Sequence, residues 1–406
     1  MRYESQSKSA KASDPVSPSP AVLQIIPALD AGGAERTTID IAQALVRDGL
    51  VALVASEGGR LEPQLAAAGG EHIRLAAAAK APPTIIANAM RLAKIIRSRN
   101  VKVVHARSRA PAWSALLAAR TEHVPFVTTY HGIYNATNPF KRFYNSVMVR
   151  GDAVIANSQW TAAHVVAEHH VERAKLFVIP RGVDLARFDP AGIAPDRVAT
   201  QRAQWGAKPD DAVVLLPGRL TRWKGQLVFV EALARLAREG KLSKLCAVMV
   251  GDAQGRASYE AELRNAIGAS GLGDRVFIAG HADDMALAYL AADVVVSASV
   301  EPEAFGRVVA EAGAMGRPVI ATDHGGARET ILPDQSGLLT KPDDAAELAG
   351  AIDRLASMGT NERAQMGARG RAHIVEHFGL ERMCADTIAL YRSLIVPTRL
   401  PVMPGV

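Results

Sequence analysis

Short apolar runs rich in β-branched residues alternate along the chain with stretches of helical period. Val22 to Ile26, Val51 to Ala55, Val101 to His105, Pro125 to Thr129 and Ala153 to Ala156 predict strands, with helices over Glu35 to Arg47 and Thr84 to Arg97. Strands this uniformly apolar belong in parallel sheets covered on both faces. After Asp184 the pattern loosens. Phe188 to Asp211 is rich in Pro, Ala, Asp and Arg and predicts a linker with room for a short helix. The alternation then restarts: strands over Ala212 to Leu216, Cys246 to Val250, Val276 to Ala279, Asp293 to Ser297, Pro318 to Ala321 and Leu338-Leu339, with helices over Leu227 to Arg238, Ser258 to Ala269, Met285 to Ala291 and Ala345 to Ala356. Two consecutive doubly wound α/β units follow, with a ligand cleft between them. The expected division is a polar tail over residues 1–20, a first unit over 21–188, a linker over 189–211, a second unit over 212–379 and a last helix over 380–396.

Composition narrows the picture. A length of 406 residues with 49 % apolar content accommodates two sizeable cores. Cys246 and Cys384 lie far apart and without metal-ligand spacing, so neither a disulfide framework nor a zinc site is expected. No apolar run reaches the roughly 18 residues of a membrane span. The first twenty residues repeat Ser and Pro without the apolar centre of a secretory signal, and read as disordered. The net charge of +6 is unevenly placed. Between Ala81 and Arg150 stand eleven basic residues (Arg91, Lys94, Arg97, Arg99, Lys102, Arg107, Arg109, Arg120, Lys141, Arg142, Arg150) against one acid, Glu122. That excess suggests an anionic partner such as a membrane surface or a phosphorylated lipid, and a solvated basic face is the rival reading. Nucleic acid is the weakest option, because no recognition module or stacking cluster accompanies the charge.

The candidate chemistry sits at predicted strand ends. Glu303 and Glu311 are separated by seven residues, with Phe305-Gly306 after the first and a helical run around the second. One carboxylate therefore belongs to a loop at a strand's carboxyl end and the other to the helix that follows. That arrangement suits hydrogen bonding to sugar or ribose hydroxyls beside a helix N-terminus. An ordinary acidic helix start is the bland alternative. Gly218-Arg219-Leu220-Thr221-Arg222-Trp223-Lys224-Gly225 follows a strand, and from it Arg219 and Lys224 can converge on a diphosphate. Gly32-Gly33 follows the first strand and permits close backbone approach to a ligand. His131 ends a strand, as do His105 and Arg107. Ser158 reads as a helix N-cap.

In this order, Gly32-Gly33-Ala34-Glu35, Tyr130-His131-Gly132, Asn157-Ser158, Ile179-Pro180-Arg181-Gly182-Val183-Asp184, the Arg219/Lys224 loop, Glu303 with Glu311, and Gly325-Gly326 with Glu329 resemble the retaining family-4 glycosyltransferases of the GT-B fold, from about Val22 to Ile395. The resemblance implies two Rossmann-like domains facing a central cleft, with the helix Leu380 to Leu394 crossing back onto the first. It implies catalytic roles for Glu303, His131, Arg219 and Lys224. Donor contacts would come from Gly32, Gly33, Arg219, Lys224, Gly251, His281, Glu303, Phe305, Gly306 and Glu311, with Glu311 on the ribose hydroxyls and Arg219 and Lys224 on the pyrophosphate. Arg107, Arg109 and Tyr130 are the acceptor-side candidates. Three positions depart from the family pattern: Ala304 where a glycine is usual, Arg307 where relatives are commonly apolar, and Arg107 where many have a second histidine. The implied reaction moves a sugar from a UDP- or GDP-sugar to a hydroxyl of a glycan or glycolipid, with retention and with no metal or other cofactor. The expected setting is lipopolysaccharide or polysaccharide assembly in the cytoplasm, at the inner membrane face. A sugar synthase or phosphorylase on the same fold, and a non-catalytic nucleotide-sugar-binding scaffold, stay open as alternatives.

Overall fold

The computed structural model describes residues 19–30, 32–134 and 138–396. The expected tail over residues 1–20 thus falls, up to residue 18, outside the described residues. Two parallel sheets form the frame. The first contains β1 (Ala21–Ile25), β2 (Val51–Ser56), β3 (Glu71–Arg74), β4 (Val101–Ala106), β5 (Phe126–Tyr130), β6 (Ala153–Ala156) and β7 (Leu176–Val178), in the order β3-β2-β1-β4-β5-β6-β7. The second contains β8 (Ala212–Pro217), β9 (Leu245–Val250), β10 (Val276–Gly280), β11 (Val294–Ser297), β12 (Val319–Thr322) and β13 (Gly337–Thr340), in the order β10-β9-β8-β11-β12-β13. All five residues of β1 are buried, as uniform apolarity demands of a strand covered on both faces. The two-unit α/β architecture read from the alternation is the one observed.

Strand order reverses direction between β1 and β4 in the first sheet and between β8 and β11 in the second. Such switch points leave a crevice at the strands' carboxyl ends, where the following loops part to opposite faces. Gly32-Gly33 and Arg107 follow β1 and β4; the Arg219/Lys224 loop and Glu303 follow β8 and β11. Each unit therefore brings its candidate residues to its own crevice.

The stretch over 189–211 carries a helix, Pro195–Gln204, begun by a proline suited to the first helical turn. It packs against the helix Met285–Ala291, and Arg202 pairs with Asp293 at 2.9 Å. The last helix, Leu380–Ile395, lies against the opening helix Gly33–Arg47. Its Met383, Leu390 and Tyr391 join the apolar cluster of Val22, Ile41 and Leu45, and Arg392 pairs with Asp48 at 2.8 Å. Across the cleft, the Glu329 carboxylate accepts from the backbone N–H groups of Gln159 and Trp160 at 2.8 Å each. Those amides open the helix Gln159–His169, so a second-unit carboxylate caps a first-unit helix.

Candidate functional site

The second unit's crevice is built from paired charges. Gly225 closes the loop after β8 with φ +73°, and a Cβ there would meet the Ala298 carbonyl at 1.8 Å; only glycine satisfies both demands. The turn aims Lys224 at Glu303, with Nζ donating to Oε1 at 2.7 Å. Both side chains are only 12 % exposed, so neither charge would persist without the other. The Ser299 hydroxyl donates to the same oxygen at 2.5 Å. Burial alone would raise the Glu303 carboxyl, but Lys224 and Ser299 outweigh it and hold it below the usual carboxylate range. Glu303 is thus a carboxylate that orients the Lys224 ammonium and leaves Oε2 without a partner among the described residues. Arg219 stands exposed at the mouth of this crevice, and its side chain has no hydrogen bond or ion pair among the described residues.

Glu311 lies in the helix Arg307–Ala314, which starts at Gly306 with φ +81° and no side-chain cap. Its first-turn N–H groups are therefore left for other partners. Tyr289 donates to Glu311 Oε2 at 2.8 Å, and Arg307 Nε lies 3.3 Å from Oε1. Burial first, and then Glu311 itself, push the Tyr289 phenol far above its ordinary range, so it stays a donor. Gly325-Gly326 buttresses the Glu303 loop by backbone. Gly326 N–H donates to the Glu303 carbonyl at 2.7 Å, and a Cβ on Gly325 would come within 2.4 Å of that oxygen. Phe305 is buried in the core between this loop and Phe378.

The first unit's crevice is different. Gly32 precedes the opening helix in an extended conformation and supplies no side-chain cap. The Arg181 guanidinium covers Gly33, where a Cβ would lie 2.4 Å from Nη1. Arg181 has no hydrogen bond or ion pair among the described residues. Burial, then the charges of Arg307 and Arg107, pull its pKa down to about 10. Arg107, 3 % exposed, donates from Nε to Gln24 Oε1 at 2.8 Å and lies near the Tyr391 hydroxyl, while its buried Nη2 has no well-aligned partner among the described residues. Both ring nitrogens of His131 are buried without partners among the described residues, and burial followed by Arg181 and Arg107 keeps the ring neutral. Thr37, Arg107, Thr129, His131, Asn157 and Arg181 surround a cavity of about 20 Å³. His105, by contrast, is fully satisfied: Nδ1 meets the Tyr391 hydroxyl at 2.5 Å and Nε2 meets Thr129 at 2.7 Å.

Several expectations change. Tyr130, read as an acceptor contact, is fully buried in the first core, and its hydroxyl reaches His169 at 3.3 Å. Apolar strand residues end inside, and the acceptor-side reading moves off it. Arg109 is committed to Asn145 at 2.8 Å and lies 4.1 Å over the Tyr134 ring. Gly251 spends its N–H on the Gly280 carbonyl, and a Cβ there would strike the Gly218 carbonyl at 1.8 Å, so it packs two loops together. His281 is exposed beside Asp283. Ser158 is the N-cap expected of it, accepting from Thr161 N–H at 2.9 Å. Sequence reasoning assigned no role to Arg181, Ser299 or Tyr289. Arg181 had a readable signal, a lone charge inside Ile179-Pro180-Arg181-Gly182; the other two had none.

Part of the basic excess is spent inside the fold. Arg97 pairs with Glu122, Arg99 with Glu71, Arg120 with Asp152 and Arg142 with Glu168, while Arg107 is buried. Three of those four acids come from outside the 81–150 stretch. What remains on that face is apolar as well as basic. Phe140 is 78 % and Phe143 57 % exposed on the helix Pro139–Asn145, which also carries Lys141 and Arg142. No helix among the described residues is long and apolar enough to cross a membrane.

The model of Glycosyltransferase Family 4 matches residues 31–187, and that of Glycosyl transferases group 1 matches residues 198–373. The D-inositol 3-phosphate glycosyltransferase of Xylanimonas cellulosilytica is 32 % identical over 308 residues, 71 % of this chain and 71 % of the relative. Among solved structures, a glycosyltransferase from Rickettsia africae ESF-5 is 36 % identical with a TM-score of 0.87, covering 94 % of this chain and 100 % of the other. Anabaena Alr3699/HepE in complex with UDP-glucose is 26 % identical with a TM-score of 0.78, covering 91 % and 99 %.

Proposed function

The chain is a glycosyltransferase that belongs to family 4 of the GT-B fold, and from that premise we propose that it transfers a sugar, with retention, from a nucleotide-diphosphate sugar to a hydroxyl acceptor. The observation that carries the donor reading is the Lys224–Glu303–Ser299 cluster at the second sheet's switch point, next to an uncapped helix bearing Glu311. In this reading Arg219 and Lys224 meet the diphosphate, Glu311 accepts from the ribose hydroxyls, and Glu303 Oε2 accepts from a hydroxyl of the transferred sugar. The bond from the anomeric carbon to the phosphate oxygen breaks, and its electron pair leaves with the nucleotide. The acceptor oxygen attacks from the same face and gives its proton to the departing phosphate oxygen. Charge grows on that oxygen toward the transition state, where fixed cations in a dry crevice act most strongly. UDP-sugars are the first donors to try, given the UDP-glucose complex of the Anabaena relative.

Two finer points belong to the same proposal. The acceptor carries an anionic group; relatives named D-inositol 3-phosphate glycosyltransferase support this better than the lipopolysaccharide or polysaccharide setting expected from the sequence. The first unit also rests on an anionic membrane, now chiefly through the exposed Phe140 and Phe143 of the helix Pro139–Asn145 instead of the ion-paired Arg97 and Arg99. Phe143 stacks on Trp113 at 5.2 Å, and Arg150 lies over both rings, a mixed aromatic and basic patch suited to an interface.

The test is a sugar-nucleotide screen by thermal shift and by slow donor hydrolysis, with EDTA present. One nucleotide sugar should stabilise the protein and be consumed in EDTA. No stabilisation by any donor, or turnover abolished by EDTA and restored by Mg²⁺, contradicts the reading. Phe140→Ser with Phe143→Ser should release the protein from anionic liposomes at low salt, whereas Arg97→Glu should not.

A further inference from the structure

Buried charges in folded proteins are paired, because removing an ion from water without a partner is costly. Arg181 is only partly removed from water, yet it goes without any such partner. Its guanidinium is half-buried over Gly33, with no hydrogen bond or ion pair among the described residues. Glu35 and Glu311 act on it only at a distance. Arg107, which lines the same cavity, breaks the rule there, since its buried Nη2 has no hydrogen-bond partner among the described residues. A third feature converges there. The opening helix Gly33–Arg47 begins at Gly32 without a side-chain cap; the Glu35 carboxylate of its first turn lies over Gly32 and offsets part of the dipole, and the leading N–H groups face the crevice.

The unpaired Arg181 guanidinium and the unfilled Nη2 of Arg107, beside an uncapped helix start, lack one thing, an anionic oxygen ligand. The cavity of about 20 Å³ is water-sized, so the ligand sits at its mouth, on the cleft side of Arg181. His131, kept neutral by burial and by the charges of Arg181 and Arg107, adds no positive charge of its own, so an anion there rests on the guanidinium groups. We infer that Arg181, backed by Arg107 and by the first turn of the helix Gly33–Arg47, binds an oxyanion group, phosphate or carboxylate, of one substrate. The inference deepens the glycosyltransferase reading and rests on it for the word substrate, not for the anion. The oxyanion belongs either to the donor's diphosphate or to the acceptor's anionic group.

The glycine pair acquires a definite purpose. Gly33 has no side chain because the guanidinium occupies that space, and an alanine there would displace it. Arginine suits the site better than lysine, since its planar fork presents two parallel N–H groups to an oxyanion.

The experiment uses the full chain, wild type, Arg181→Gln, Arg181→Lys and Gly33→Ala. Thermal midpoints are measured in inorganic phosphate and pyrophosphate against potassium chloride of equal ionic strength, then UDP and uridine are titrated. Phosphate should raise the wild-type midpoint above that in chloride. Arg181→Gln should melt higher than wild type without phosphate, because an uncompensated cation is gone, yet lose at least half of the phosphate-induced rise. Arg219 and Lys224 keep the remainder. Gly33→Ala, which retains the arginine but displaces it, should lose the rise too, and this variant decides the matter if Arg181→Gln does not fold. Arg181→Lys should keep part of it. If the oxyanion is the donor's, UDP affinity falls about tenfold in Arg181→Gln while uridine affinity is unchanged. If it is the acceptor's, UDP affinity holds and the acceptor KM rises about tenfold. A full phosphate response in both Arg181→Gln and Gly33→Ala overturns the inference. An Arg181→Gln midpoint below wild type in the absence of anions overturns the claim that the cation is uncompensated. Because the phosphate readings require no transfer, a failed glycosyltransferase assay would leave them interpretable.

Discussion

The two walls of the cleft treat charge in opposite ways. On the second unit every charged side chain at the crevice floor has its counterpart: Lys224 with Glu303 and Ser299, Glu311 with Tyr289 and Arg307. On the first unit Arg181, Arg107 Nη2 and both nitrogens of His131 go without. The second wall is preorganised before any ligand arrives, at the level of side-chain geometry. The first wall stores an electrostatic deficit that a ligand would fill. Preorganised pairs favour transition-state stabilisation, since little reorganisation remains to be done. Unfilled cations favour capture, since binding itself relieves an unfavourable state of the fold.

The comparison breaks most visibly at Lys224. Lys224→Ala should lower turnover by about 10²–10³, the size of losing one preorganised stabiliser of developing charge. It should also destabilise the fold by about 3 kcal/mol, because Glu303 is left buried and unpaired. Adding Glu303→Gln should recover most of that stability and none of the turnover. Paired kinetics and denaturant melts check both halves. A single variant that loses turnover but keeps full stability would mean the pair is not the anchor of the second wall.

Acid sharpens the contrast. His131 on the first wall and His105 beneath it are kept neutral by burial, with pKa values well below the ordinary 6.5. The unfolded chain takes up protons near 6.5 that these rings refuse, so stability is present above that pH and is lost as pH falls through it. Each ring contributes about 1.4 kcal/mol per pH unit below 6.5. Asp40 opposes this. Burial raises its carboxyl to about 6, so the folded state takes up a proton earlier than the unfolded chain and gains stability between about 6 and 3.8. Two rings outweigh one carboxyl, and melts from pH 7 to 5.5 should show a net loss. His131→Asn should flatten the profile and Asp40→Asn should steepen it; a profile unchanged by either removes the titration argument.

The smallest effect concerns how the walls meet. Glu329→Ala removes two charge-assisted bonds to the start of the helix Gln159–His169, each of a kind worth about 1.5–3 kcal/mol when buried and less at this partly exposed site. Small-angle scattering should report a larger radius of gyration for the ligand-free variant. An unchanged radius would show that Thr161 donating to the Ala304 carbonyl suffices to hold the units together.

The same asymmetry governed what could be read from residues alone. The second wall is written in contiguous stretches, Gly218 to Gly225 and Glu303 to Glu311, so its chemistry was legible. The first wall is assembled from the ends of β1, β4, β5 and β7, and Arg181 meets Gly33 across roughly 150 residues of chain, a proximity no local pattern carries. Most strands were legible because buried parallel strands are apolar throughout. β3, Glu-His-Ile-Arg, was not, since an edge strand with one apolar residue lacks the signal. β7 was too short, at three residues. The helix Pro195–Gln204 lay hidden in a stretch whose prolines and charges resemble a linker, yet its Arg202 is tied to Asp293. The basic excess was overcounted for a geometric reason: counting along the chain could not see Glu71, Asp152 and Glu168 arriving from other elements.

The central claim is that the second wall grips the nucleotide's ribose, through Glu311 held ready by Tyr289. Calorimetric titration of UDP into the wild-type protein and Glu311→Ala tests it most directly. Hydrogen bonds to a charged group contribute about 1.5–3 kcal/mol, so Kd should rise by about tenfold or more, with the far-ultraviolet dichroism unchanged. A Kd for UDP that is the same in both proteins would contradict the account.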